Sequence, residues 1–203
     1  YLTGLQRAAQ YLFVHDGKLP LPEQHFEIAA EESTSLDESD VYKFFLTNGT
    51  LHTKVQEAPS GNNGNCESKG TKRIMCIVKT VGWYAKYEGK ISHMEDVTDR
   101  FEVIVTLDEY TTPVNQAFVE VTLEMMDAQP GLKTSAFVTA FIIQTRTGPQ
   151  FKDLNAFHER SDLATTVQRL FDDKMWETTK PYIMKVLEED YPKYILSLIK
   201  IAP

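Results

Sequence analysis

Five histidines, His15, His25, His52, His93 and His158, are the side chains best suited to binding a metal or moving a proton near neutral pH. No two of them stand four residues apart, and no H-E-x-x-H run occurs, so a helix-borne zinc site has no ligand set. Each reads as a surface or loop residue. Cys66 and Cys76 lie too far apart for a C-x-x-C pair. A G-x-S-x-G nucleophile elbow, a phosphate-cradling glycine loop and a G-x-G-x-x-G fingerprint are all missing. Carboxylates cluster at Glu31-Glu32, Asp172-Asp173 and Glu188-Glu189-Asp190, all in polar stretches. They read as solvated faces, because acid–base catalysis draws on carboxylates walled by apolar groups. The sequence therefore predicts no catalytic residue, no metal site and no cofactor, and the chain is not expected to be an enzyme.

Two features concern covalent chemistry of another kind. Two cysteines close together suit a disulfide that ties a Gly- and Asn-rich loop to the strand carrying Cys76, although two separate free thiols fit the same spacing. Asn48-Gly49-Thr50 is an acceptor sequence for an N-linked glycan if the chain is secreted. Asn-Gly is also the favoured pair of a two-residue hairpin turn, and Val41–Leu46 and Leu51–Val55 flank it as strands. A hairpin is predicted there.

Trp83, Tyr84 and Tyr87, with Lys79, Lys86 and Lys90 nearby, could stack on single-stranded bases, but strands enrich aromatics in any case. A net charge of -8 and a pI of about 5.2 decide for sheet packing and against nucleic acid as a partner. The same balance argues against an anionic membrane surface. No apolar run reaches the roughly 18 residues of a membrane span.

These residues must be held by a core that 42% hydrophobic composition over 203 residues can supply, in one domain covering 1–203. Residues Tyr1–Val14 carry Leu2, Leu5, Ala9, Leu12 and Phe13 at helical spacing, and Asp16-Gly17 followed by Leu19-Pro20-Leu21-Pro22 ends that helix in extended backbone. Residues from Arg73 to Lys79 and from Gly82 to Tyr87 read as strands, and Pro59–Gly70 as a polar loop. Phe101, Val103, Val105 and Leu107 share one side of a strand. Val119, Val121, Leu123 and Met125 alternate with Glu120, Thr122 and Glu124, the mark of an antiparallel sheet with one wet face. Ser135–Gln144, with Phe137 and Phe141, reads as a strand covered on both sides. The period then changes: Leu163, Val167, Leu170 and Phe171 open a helical stripe that Trp176, Ile183, Val186, Leu187, Tyr194, Ile195 and Leu198 continue, behind Asp162 as N-cap. Pro181 and Pro192 either kink one helix or start new ones. The predicted class is α+β: an N-terminal helix, six to eight strands in a long curved antiparallel sheet, and a long C-terminal helix in its concave face.

That order, with Phe151-Lys152-Asp153-Leu154-Asn155-Ala156-Phe157 ahead of the helix, Tyr191-Pro192-Lys193-Tyr194-Ile195 near its end, and Trp83 to Ile91 in the sheet, resembles the takeout and juvenile-hormone-binding family and the arthropod group-7 mite allergens. Insect members of that family carry a cysteine pair near the N-terminus, whereas this chain has Cys66 and Cys76, which places the resemblance nearer the allergens. The resemblance implies a TULIP-type half super-roll, secretion, and an apolar ligand held in a tunnel without catalysis. On that reading the ligand, a lipid or other hydrophobic small molecule, would meet Phe101, Val103, Val105, Val119, Val121, Leu123, Phe137, Phe141, Val167, Phe171, Trp176, Ile183 and Leu187. The alternative is a protein–protein interaction module in which the same side chains fill a dry core.

Overall fold

A computed structural model of the chain describes residue 9 and residues 16–30, 41–54, 65–70, 73–80, 82–94, 97–108, 118–126, 129–135, 142–148, 151–158 and 160–201. In chain order the strands are β1 (Gly17–Pro20), β2 (Gln24–Ala29), β3 (Val41–Thr53), β4 (Asn65–Ser68), β5 (Arg73–Lys79), β6 (Trp83–His93), β7 (Val97–Asp108), β8 (Phe118–Met126), β9 (Gln129–Ser135) and β10 (Ile142–Gly148). Two 3-10 turns, Phe151–Asp153 and Asn155–Phe157, lead into α1 (Ser161–Ile201). The class is α+β with antiparallel pairing throughout, as predicted. Of the predicted N-terminal helix only Ala9 is described, helical and buried; the rest lies outside the described residues.

The expected single sheet is two. The larger runs β1-β3-β6-β7-β10, with β2 also on β3; the smaller runs β4-β5-β8-β9. β1 and β2 lie end to end along one edge of β3, against residues 50–53 and 41–46. Neither β2 nor β4 was anticipated: Cys66 lies in a short strand rather than at the end of a loop. The predicted strand Ser135–Gln144 touches the end of β9 and the start of β10, and residues 136–141 between them lie outside the described residues.

The predicted Asn-Gly hairpin is also overturned. β3 runs straight through it as a 13-residue strand. Against β6, Thr47 pairs with Glu88 and Thr50 with Lys86, so β3 holds one extra residue and bulges at Asn48-Gly49. Asn48 takes φ 52°. The peptide N–H of Leu21, between β1 and β2, donates to the Gly49 carbonyl at 2.8 Å. Sequence pattern could not distinguish the two outcomes: a two-residue turn and a one-residue bulge both put Tyr42, Phe44, Leu46, Leu51 and Thr53 on one face. Only the partner differs, β3's own second half or β6.

Period-two alternation sets the inner face of the larger sheet. Trp83, Ala85, Tyr87 and Ile91 of β6 and Phe101, Val103, Val105 and Leu107 of β7 are all buried. On α1 every fourth residue from Leu163 to Ile195 is buried, namely Leu163, Val167, Phe171, Met175, Thr179, Ile183, Leu187, Tyr191 and Ile195. Each four-residue step turns about 40° past a full helical turn, so the stripe winds about 320° around the helix over that length. A helix buried on a winding stripe is covered from changing directions, which the twist of the flanking sheets supplies. α1 continues through Pro181 and Pro192 without breaking into separate helices. Each proline removes one rung of the helical ladder, and burial of the stripe sustains the helix across both gaps. Asp162, expected as N-cap, lies inside the first turn, where its charge meets the positive end of the helix.

Candidate functional site

The interior between α1 and the sheets gathers most of the predicted ligand-contacting residues. Phe101, Val103, Val105, Val119, Val121, Val167, Phe171, Ile183 and Leu187 are buried and belong to one contiguous cluster. Trp176 is half-buried, and the Lys180 ammonium stands 5.1 Å from its ring centre. Leu123 is paired with Ile74 and Leu132 in the smaller sheet, but its side chain is not among those described. Phe137 and Phe141 lie outside the described residues.

Part of this interior is filled by aromatic rings. Phe171 of α1 stands 4.9 Å from Phe44, 5.2 Å from Phe151, 5.7 Å from Phe26 and 5.8 Å from Phe101, centre to centre. Phe151 stacks on Phe157 at 5.9 Å, and Tyr42 lies between Phe157 at 4.7 Å and His93 at 4.2 Å. Spacings of this kind are those of rings in direct contact, edge-on or offset. Phe101 and Phe171, both predicted to touch ligand, are here packing partners of each other. Glycine makes room nearby: a Cβ on Gly89 would fall 2.6 Å from the Phe101 ring, and one on Gly49 would collide with the Tyr87 ring.

A polar clasp interrupts the apolar surface midway along α1. Gln24 Nε2 donates to Tyr87 Oη at 3.0 Å and to Thr179 Oγ1 at 3.1 Å. Tyr87 in turn donates to the Pro22 carbonyl at 3.1 Å, and Thr178 Oγ1 donates to Gln24 Oε1 at 2.5 Å. Edge strand, central strand and helix are thus tied through one carboxamide. Burial pushes the Tyr87 phenol up to about 12, with the Gln24 hydrogen bond acting against that rise and Tyr182 adding to it. Burial also raises Tyr191, whose ring centre lies 5.6 Å from that of Trp83. Near neutral pH both phenols are uncharged.

A second buried polar group shapes the approach to α1. Asp99 Oδ1 accepts from the Asn155 backbone N–H at 3.1 Å and its Nδ2 at 2.9 Å, while Oδ2 accepts from the Ala156 N–H at 2.8 Å. The carboxylate satisfies donors at the start of the second 3-10 turn and so fixes Phe157 against Tyr42. Sequence reasoning passed over Asp99 and Gln24. The available signal was parity, since Asp99 occupies the inward side of β7 two residues before Phe101.

Cys66 and Cys76 form a disulfide, directly opposite each other on β4 and β5 with Cα atoms 4.0 Å apart. It joins the short edge strand to a strand whose Ile74 and Val78 are buried. Asn48 is exposed on the outer face of the larger sheet, where its Nδ2 donates to Glu88 Oε2 at 2.8 Å. Among the described residues no group of three His, Cys, Asp or Glu could hold a metal ion, and no helix is long and apolar enough to cross a membrane.

No family model and no curated protein matches the chain, so comparison does not establish the expected kinship with takeout proteins and group-7 mite allergens. Among solved structures it is similar to the crystal structure of lipopolysaccharide binding protein, at 13% identity and a TM-score of 0.33. That alignment covers 97% of this chain and 39% of the other, so the chain spans less than half of that protein's length. At this TM-score the likeness bears on neither family nor ligand.

Proposed function

We propose that this chain is a secreted binder of lipids or other apolar small molecules, held between α1 and the inner faces of the sheets. The observation that supports the reading is the continuity of that interior: both sheets and the winding stripe of α1 contribute to one apolar cluster. A site for an apolar ligand is such a surface with a few polar groups that fix orientation. The Gln24–Tyr87–Thr179 clasp is a polar group of that kind. Because Phe101 and Phe171 already occupy each other, the ligand lies beyond their ring cluster, toward Val105, Val121, Ile183 and Leu187. The disulfide suits an oxidising compartment and supports secretion.

Titration with a fluorescent fatty-acid analogue tests the reading. Saturable binding, weakened at least tenfold by Leu187→Trp with an unchanged circular dichroism spectrum, is the expected result. A second reading, an interaction module with a filled core, draws support from the packed rings around Phe171. Failure of every apolar probe to bind the folded chain would decide for that module.

A further inference from the structure

The outer face of the larger sheet carries a charge opposite to that of the chain. At one end, Lys18, Lys54 and Lys86 surround a stack of His52 on Tyr84, whose ring centres are 4.5 Å apart. At the other, Lys43, Lys90 and Arg100 flank Phe45, which is 41% exposed. The Lys90 ammonium lies 5.9 Å from the Phe45 ring centre, and that of Lys54 lies 5.9 Å from the Tyr84 ring centre. Against these six cations the described strands set three carboxylates, Glu27, Glu88 and Glu102, and exposed Asp16 and Glu23 lead into β1 and β2 on the same parity, a balance of +1 on a chain of -8. The three strand carboxylates are engaged within the face: Glu102 with Lys86 at 2.7 Å, Glu27 with Lys43 at 3.9 Å, and Glu88 accepting from Asn48 Nδ2 at 2.8 Å.

We propose that this face docks on an anionic phospholipid bilayer. Charge complementarity selects an anionic partner, and the exposed phenyl ring among cations selects a bilayer over a soluble polyanion. Interfacial binding combines lysine attraction to headgroups with insertion of an apolar side chain, whereas a sulfated polysaccharide meets the cations alone. The net charge of the chain as a whole argues against an anionic surface, whereas this face departs from that balance. The acidic stretch 31–40, with Glu31, Glu32, Asp37, Glu38 and Asp40, carries much of the opposing charge. Burial and the three lysines lower the His52 pKa below 6.5, so at neutral pH the lysines, not the imidazole, supply the field. The proposal is independent of whether the interior holds a ligand.

Flotation of the full chain with phosphatidylcholine vesicles, with and without phosphatidylserine, tests it. Binding is expected only to the phosphatidylserine vesicles and is lost in high salt. Neutralising Lys18, Lys54 and Lys86 together to Gln should weaken it on the order of 100-fold. Phe45→Ser should weaken it while leaving the salt dependence in place. Lys174→Gln with Lys193→Gln, on α1, should leave it unchanged. Absence of vesicle binding, equal binding to neutral vesicles, retention on a heparin column without vesicle binding, or indifference to the triple substitution in a chain of native circular dichroism would each overturn it. So would a glycan on Asn48 of the secreted protein, because it would stand in the plane of contact.

Discussion

Gln24 on an edge strand donates to Thr179 Oγ1 on the C-terminal helix across 3.1 Å and 155 residues of sequence. The bond fixes where α1 lies along β2 and β3, because the same carboxamide also reaches Tyr87 on β6. Gln24→Leu keeps the side-chain volume but leaves the hydroxyls of Thr178 and Thr179 without that partner. A loss of about 1–3 kcal/mol is expected in urea unfolding, the cost of stranding buried polar groups. An unchanged midpoint would show that the clasp contributes nothing to positioning the helix.

Phe171 is the hub of the ring cluster. Phe171→Ala is expected to cost about 3–5 kcal/mol, the usual range for emptying an aromatic site in a core. A double-mutant cycle with Phe44→Ala should return a coupling of about 0.5–1.5 kcal/mol. Additive losses would mean that the two rings do not pack on one another.

Gly49 lies under the Tyr87 ring at the β3 bulge. Gly49→Ala should destabilise by about 1–3 kcal/mol through overpacking, and the cost should shrink in a Tyr87→Ala background. If Asn48-Gly49 formed a hairpin turn instead, the substitution would be insensitive to Tyr87.

Tyr87 also gives stability a pH dependence. Its folded pKa is raised from 10.0 to about 12, so its contribution is fully present below pH 10 and is lost as pH rises through about 12. The unfolded chain releases that proton first, which is why stability falls with rising pH in this window. Tyrosinate absorbance should show late-titrating phenols, one fewer in Tyr87→Phe. Nine tyrosines all titrating together near their ordinary value would contradict the buried environment.

Local pattern carried much of this fold. The alternation in Phe101–Leu107 and the helical period from Leu163 onward are properties of adjacent residues, and both elements stand where they were predicted. Partner choice is not local, and there the reading failed: Asn48-Gly49 fits turn and bulge alike, and one sheet or two require the same strands. The stripe on α1 was only half legible, because its four-residue repeat winds around the helix and takes in Met175, Thr179 and Tyr191. The inward polar residues Gln24, Asp99 and Thr179 were visible as breaks in apolar parity, but their partners come from distant elements. Of the candidate ligand residues, the burial of the nine that lie in the core cluster was predictable from pattern, whereas Trp176 is half-buried. Whether a ring meets ligand or another ring, as with Phe101 and Phe171, depends on packing that no spacing rule encodes.

Native mass spectrometry of the purified chain, paired with organic extraction, tests the central claim most directly. The account predicts a folded species carrying one apolar molecule, recovered in the extract and displaced by added fatty acid. A folded chain of bare mass, with an empty extract and no uptake of added fatty acid, would contradict it.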